Sequence, residues 1–265
     1  MVIAQYAIMK TVPRIQSLDR GLILLETVAR AKHPLGLDEL AAVLEIDRSS
    51  VHRLAQTLKH HGMLAQLPDT KNYVLGSAVS RMASLSPWGE VLAMFAREHV
   101  AALAARTQET THLAVREGQQ AALIHHQLTE QPLGVSTGSG HCVPLYCTSV
   151  GRALLVDYDR DRLVALLGDE PFPTFNTRTL STVEALAEEC RRSRERGFAL
   201  DDQEFHDGVR CMAAPIRDAT GEVVASIGIS APVDRLPKER IEEMAAQVID
   251  AAGQVGAKLG RNHLG

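Results

Sequence analysis

The chain has 265 residues, 45% of them hydrophobic and 23% charged, with 28 Lys and Arg against 32 Asp and Glu for a net charge of -4. That length and balance provide for two ordinary domains with cores of their own, and a mildly acidic total excludes a protein that coats nucleic acid over its whole surface. No apolar run approaches the roughly 18–20 residues of a membrane span, and the N-terminal stretch has no basic segment of the secretory kind. Cys142, Cys147, Cys190 and Cys211 form no Cys-x-x-Cys pair, so reduced thiols and a cytoplasmic location are expected.

The charge is unevenly placed. Between Arg14 and Arg81 nine Lys and Arg meet seven Asp and Glu, a local +2, which leaves -6 for the rest of the chain. A basic N-terminal module on an acidic body suits local contact with DNA and a second domain with another task. Ser17 is placed as the N-cap of a first helix whose apolar face is Leu18, Leu22, Leu25, Val28 and Ala29, ending near Lys32 before Pro34 and Gly36. In residues 37–62 the apolar positions Leu37, Leu40, Ala41 and Leu44 repeat at helical spacing, break at Glu45-Ile46-Asp47, and resume as Val51, Leu54, Ala55 and Leu58 until Gly62.

That is a helix, a tight turn and a second helix. With its apolar side consumed by the core, the second helix shows Arg48, Ser49, Ser50, His52, Arg53, Gln56 and Thr57, side chains suited to phosphates and base edges. Ser49 and Ser50 fall at its N-terminal end, where short hydroxyls and backbone N–H groups can meet phosphate. Two short strands, 63–67 and 72–75, follow around Pro68-Asp69-Thr70-Lys71, and this wing would carry Lys71 to the DNA backbone. Three helices and a hairpin make a winged helix-turn-helix. The expected domain spans 14–76, with a linker helix and hinge over 77–89 and a second domain over 90–262.

In the second domain a helix over 91–106 precedes a hairpin of 111–116 and 121–127. A mobile connection with Gly134, Gly138 and Gly140 leads to a short strand at 143–146 and to helices at 149–158 and 161–167. An amphipathic helix over 182–197, a strand opening at Gly197, a hairpin of 209–217 and 222–230, and a helix over 237–258 complete the chain. Strand hairpins separated by helices give the class α+β.

Residues 15–75 resemble the DNA-binding domain of the IclR family of bacterial transcriptional regulators. The likeness is carried by Ser17-Leu18-Asp19-Arg20-Gly21-Leu22, by Asp47-Arg48-Ser49-Ser50-Val51-His52-Arg53-Leu54 and by Gly62-Met63-Leu64. The second domain resembles that family's effector domain over nearly its full length, through the motifs at 140–155, 196–204 and 208–215. The resemblance implies an N-terminal winged helix-turn-helix joined by a helical linker to a GAF-like effector-binding domain. It also implies a homodimer or a dimer of dimers, a palindromic double-stranded operator and a small organic acid as effector.

By the same resemblance Ser149, Val150, Asp201, Cys211, Gly228 and Ser230 match positions that contact small carboxylates in the family. The residues also have a reading of their own. Thr148, Ser149, Val150 and Gly151 open a helix whose first N–H groups can receive a carboxylate, although Gly151 equally suits a plain close-packed turn. Cys211 alternates with Ala213, and Gly228 with Ser230, so the four should share one face of two adjacent strands. Ser149 stands where glycine is frequent in the family and Gly228 where some members carry a hydroxyl. This lost polar group and gained room count against a very small oxoacid and leave aromatic or longer acids open.

Two other functions fit parts of the sequence: a small-molecule-modifying enzyme with a DNA-binding appendage, and a DNA-binding protein without a ligand. Cys211 with a distant His is the only nucleophile pair in view, it has no orienting third group, and a buried small residue is the plainer reading. No Gly-x-Gly-x-x-Gly loop is present, so no cofactor is expected. His60-His61 and His125-His126 lack zinc-site spacing, so no metal is expected either. Asp201, Asp202 and Glu204 are taken as a solvated acidic loop.

Overall fold

The computed structural model describes residues 15–31, 33–135, 140–168 and 170–262. Arg14, Lys32 and Gly138, which entered the sequence analysis, lie outside them. The chain forms two compact units, Met1–Pro87 and Trp88–Gly265. None of the helices among the described residues is long and apolar enough to cross a membrane.

The first unit contains α1 (Gln16–Arg30), α2 (Leu37–Leu44), α3 (Arg48–His60), β1 (Leu64–Gln66), β2 (Tyr73–Leu75) and α4 (Ser77–Leu85). β1 and β2 pair antiparallel, Leu64 opposite Leu75, and Leu35 bridges to Tyr73 on the other edge. The core is Leu24, Val28, Leu35, Leu40, Val51, Ala55, Leu64 and Tyr73, with Leu54 and Leu58 packed against it. The buried stripe of α1 differs from the one the sequence predicts. Ile15 is the N-cap rather than Ser17, the buried side is Gly21, Leu24 and Val28, and Leu18 and Leu22 face solvent. Leu22, Ile23, Leu24 and Leu25 place apolar side chains almost all round that helix, so periodicity alone could not select the face.

The second unit opens with α5 (Trp88–Thr107), so Trp88 and Gly89 belong to a helix and not to a hinge. β3 (Thr110–Glu117), β4 (Gln120–Gln127), β5 (Cys142–Pro144), α6 (Ser149–Leu155), α7 (Arg160–Leu167), α8 (Val183–Arg196), β6 (Ala199–Asp202), β7 (Val209–Arg217), β8 (Val223–Pro232) and α9 (Ile241–Asn262) follow. α6 is shorter than expected, and α9 is preceded by a 3-10 turn at Lys238–Arg240. The six strands form one antiparallel sheet in the order β5-β4-β3-β8-β7-β6.

Alternation along the strands gives the sheet two apolar faces. Leu113, Met212, Ala214, Ile216, Ala225, Ile227 and Ile229 pack against α5 and α9, where Leu92, Val100, Leu103, Val248 and Val255 are buried. Ala114, Leu123, Ala199 and Ala213 face the other way, toward Val150, Leu154, Leu163 and Leu186 of α6, α7 and α8. Burying side chains of this size stabilises by about 1.5–3 kcal/mol each, which holds helices on both faces.

Candidate functional site

The turn between α2 and α3 is closed by Glu45 in the left-handed region (φ 53°) and by Asp47 as N-cap of α3. The Asp47 carboxylate accepts the Ser50 amide at 2.9 Å and the Ser49 and Ser50 hydroxyls at 2.5 and 2.7 Å. Those hydrogen bonds hold its pKa far below the usual carboxylate range, the Ser49 hydroxyl contributing most. The N-terminal end of α3, expected to offer hydroxyls and amides to phosphate, is therefore capped by the chain's own anion. Asp is a preferred N-cap and suits the helix dipole, but the broken periodicity had marked Asp47 only as turn.

Beyond the cap, α3 presents Arg48, His52, Arg53 and Thr57 to solvent, with Ser50 and Gln56 half-buried. Arg48 pairs with Asp38 of α2 at 2.9 Å, an exposed ion pair. Gln56 lies 3.3 Å from His52, and the Thr57 hydroxyl donates to the Arg53 carbonyl. Among the described residues no carboxylate pairs with the Arg53 guanidinium. The wing is tied to the same helix, because Lys59 donates to Gln66 and Gln66 donates to the Lys71 carbonyl. Lys71 takes a positive φ of 61° at the wing tip and is exposed.

In the second unit, strand register places Asp201, Cys211, Ser230 and Thr110 opposite one another across β6, β7, β8 and β3. The next row on that face is Ala199, Ala213, Gly228 and His112. The start of α6 lies over this face, held by Ser226 donating to the Val150 carbonyl at 2.9 Å. Thr148 caps the Gly151 amide, so the Ser149 and Val150 amides are the ones the helix itself leaves unsatisfied. Gly151 is required because a Cβ there would stand 2.5 Å from the Leu145 backbone.

Between helix and sheet is a cavity of about 50 Å³, lined by Ser149, Val150, Asp201, Cys211 and Ser230 together with His112, Leu123, Val143, Thr148, Phe205, His206 and Val209. Five of the six residues expected at an effector site thus meet at one cavity. Gly228 is not on its wall. A Cβ at Gly228 would fall 2.4 Å from the Met212 carbonyl oxygen and 2.6 Å from the Ala213 Cβ, so its glycine serves strand packing rather than room for a ligand.

The acidic cluster is not a solvated loop. Asp201 is 2% exposed and accepts the Glu204 and Phe205 amides at 2.7 and 3.4 Å. Burial raises its pKa to about 7 against the pull of those amides and of Arg152. Asp202 pairs with the buried Arg210 at 2.7 Å. Glu204 pairs with Arg152, whose side chain is fully buried in α6 and donates also to the Tyr146 and Leu200 carbonyls at 2.8 Å. The sequence by itself gives no role to Arg152 or His112, and it gives Glu204 only a place in a solvated loop. A lone Arg within the apolar run of α6 was a signal for a buried ion pair; His112 gave none. Burial pushes the Cys211 thiol above its ordinary pKa, the reverse of what a nucleophile needs.

Comparison with known proteins matches this architecture in both parts. Residues 17–68 match the IclR helix-turn-helix domain, and residues 90–257 match the bacterial transcriptional regulator IclR C-terminal domain. The chain belongs to the IclR family of bacterial transcriptional regulators. This IclR-family protein is 30% identical to the HTH-type transcriptional regulator KdgR of Escherichia coli over 226 residues, 85% of this chain and 86% of that one. It is 29% identical to the acetate operon repressor of Salmonella typhimurium over 249 residues, 93% and 91% of the two chains. The crystal structure of the Agobacterium tumefaciens repressor BlcR superposes with a TM-score of 0.59 at 27% identity, covering 93% of this chain and 98% of that one. The fold is a winged helix-turn-helix unit and a GAF-like α+β unit, and the protein is a DNA-binding transcriptional regulator.

Proposed function

We propose that this regulator senses a small organic acid in the cavity under α6 and that the acid changes its affinity for a palindromic operator. The observation that carries this reading is the convergence on one cavity of the α6 amides with Ser149, Asp201, Cys211 and Ser230. The acid's carboxylate accepts from the Ser149 and Val150 amides, and Asp201 in its protonated form donates to the carboxylate instead of repelling it. The cavity is about a third of the roughly 150 Å³ that holds benzene in an engineered core, which favours a short acid over a ring.

On the DNA side, Arg48, His52 and Arg53 are the proposed contacts of α3, joined by Ser49 and Ser50 when their hydroxyls exchange Asp47 for phosphate, with Gln56 and Thr57 its outer contacts and Lys71 the contact from the wing. The exposed Arg48–Asp38 pair contributes little and exchanges readily for phosphate. Ile15, Leu18 and Leu22 leave an apolar stripe on α1, which supports assembly as a homodimer or dimer of dimers. A relative named for the acetate operon makes genes for organic-acid catabolism the proposed targets.

The test has two arms on the full chain. DNA selected from a random pool should bind wild-type protein with a steep salt dependence. Short organic acids should shift the protein's melting temperature and its DNA affinity, and Ser230→Leu should abolish both shifts while leaving unliganded DNA binding intact. An undiminished acid response in Ser230→Leu would remove the cavity from the mechanism.

A further inference from the structure

His112 lines the cavity, and the proposed binding mode gives it no partner. His112 is on β3, directly opposite Gly228 of β8 and His126 of β4. It is 4% exposed, and neither its Nδ1 nor its Nε2 has a hydrogen-bond partner among the described residues. Both ring nitrogens of so buried a group are ordinarily paired, because an orphaned polar atom in the interior costs free energy. Gly228 has no side chain to offer, and what the ring faces is the cavity.

The position of His112 is as informative as its isolation. Asp201 is on β6, and β7 and β8 separate that strand from β3 in the sheet order. The two polar groups therefore reach the cavity from strands on either side of β7 and β8, with Val150 of α6 also on its wall. A ligand whose carboxylate is at the Asp201 and α6 end extends its other end toward the imidazole. Burial, with a smaller contribution from His126, lowers the His112 pKa to about 4, so at neutral pH the ring offers one N–H donor and one bare nitrogen acceptor.

We propose that His112 is the specificity-determining residue of this site and that it hydrogen-bonds a hydroxyl carried by the effector at the end away from its carboxylate. The natural ligand is then a hydroxy acid. A hydroxyl both donates and accepts, so it satisfies either tautomer of the ring, whereas an alkyl end leaves both nitrogens unpaired. The proposal rests on the cavity being the effector site.

The experiment measures affinities of the full-length protein for propanoate, lactate, 3-hydroxypropanoate and pyruvate, in wild type and in His112→Leu and His112→Gln. Wild type should bind one of the hydroxy acids at least tenfold more tightly than propanoate. His112→Leu should bring the two within about twofold by weakening the hydroxy acid alone, and His112→Gln, whose amide also donates and accepts, should restore part of the preference. The unliganded His112→Leu protein should melt no lower than wild type, since it loses an unpaired polar group. A preference that survives in His112→Leu, a preference for pyruvate over both hydroxy acids, or a lower melting temperature of unliganded His112→Leu overturns the proposal. Equal binding of all four acids by wild type overturns it while leaving the cavity as the effector site. Binding of none of them overturns both.

Discussion

Glu204→Gln is the perturbation whose effect follows most directly from the structure. Arg152 is fully buried, and its guanidinium donates to the carbonyls of Tyr146 and Leu200 and to both carboxylate oxygens of Glu204. The glutamine keeps the shape but replaces one acceptor with an NH2 group facing another donor, and it removes the only full negative charge bonded to Arg152 among the described residues. Breaking one side of a buried ion pair typically costs about 3–5 kcal/mol. At about 2–4 °C per kcal/mol for a domain of this size, the second unit should melt roughly 6–20 °C lower. Replacing both partners, as in Arg152→Met with Glu204→Leu, removes the uncompensated charge and should recover much of that loss. The assay is urea and thermal unfolding of Glu204→Gln beside the double-mutant cycle of wild type, Arg152→Met, Glu204→Leu and their double variant. A cost below about 1 kcal/mol for Glu204→Gln, or a double variant no better than Arg152→Met alone, would show that the pair does not hold α6 to the Asp201 strand.

Three further outcomes are expected. Asp201 ionises near 4 in the unfolded chain and near 7 in the folded one, so the folded state keeps a proton the unfolded state has lost. Stability should therefore fall as pH rises from about 4 to about 7 and level off above, and effector affinity should fall as pH passes through about 7. Asp201→Asn should flatten the first profile, and superimposable melting curves across pH 5 to 8 for the two proteins would refute the assignment. Gly151→Ala drives a methyl group to within 2.5 Å of the Leu145 backbone and should cost about 1–3 kcal/mol by overpacking, seen as a lower urea midpoint. Arg53→Ala should weaken binding to all operator sequences and reduce the salt slope by about one, whereas an unchanged slope would remove Arg53 from the phosphate contacts.

Much of the fold was legible because its signals are local. The break at Glu45-Ile46-Asp47 between two apolar periodicities located the helix-turn-helix. The alternation of Cys211 with Ala213 and of Gly228 with Ser230 put four residues on one sheet face, which the register confirms as adjacent rows. Periodicity failed where a helix is apolar on several sides, as in α1, and where an acidic side chain had been assigned to solvent by composition alone. Asp201 and Glu204 are in a charged stretch, yet one is buried and the other paired with an arginine 52 residues away.

What the sequence determined by itself is the set of elements, the two-part organisation and the family to which the chain belongs, since these follow from spacing over a few turns or from long ordered motifs. Tertiary structure decided which of those residues meet. It turned Asp47 from a turn residue into the cap that engages Ser49 and Ser50, assigned Gly228 to strand packing, and brought His112 to the cavity with both nitrogens unpaired. The physical reason is that burial and pairing depend on which strands and helices lie against one another. His112 and Asp201 are 89 positions apart in sequence and acquire a shared environment only when β3, β8, β7 and β6 form one sheet.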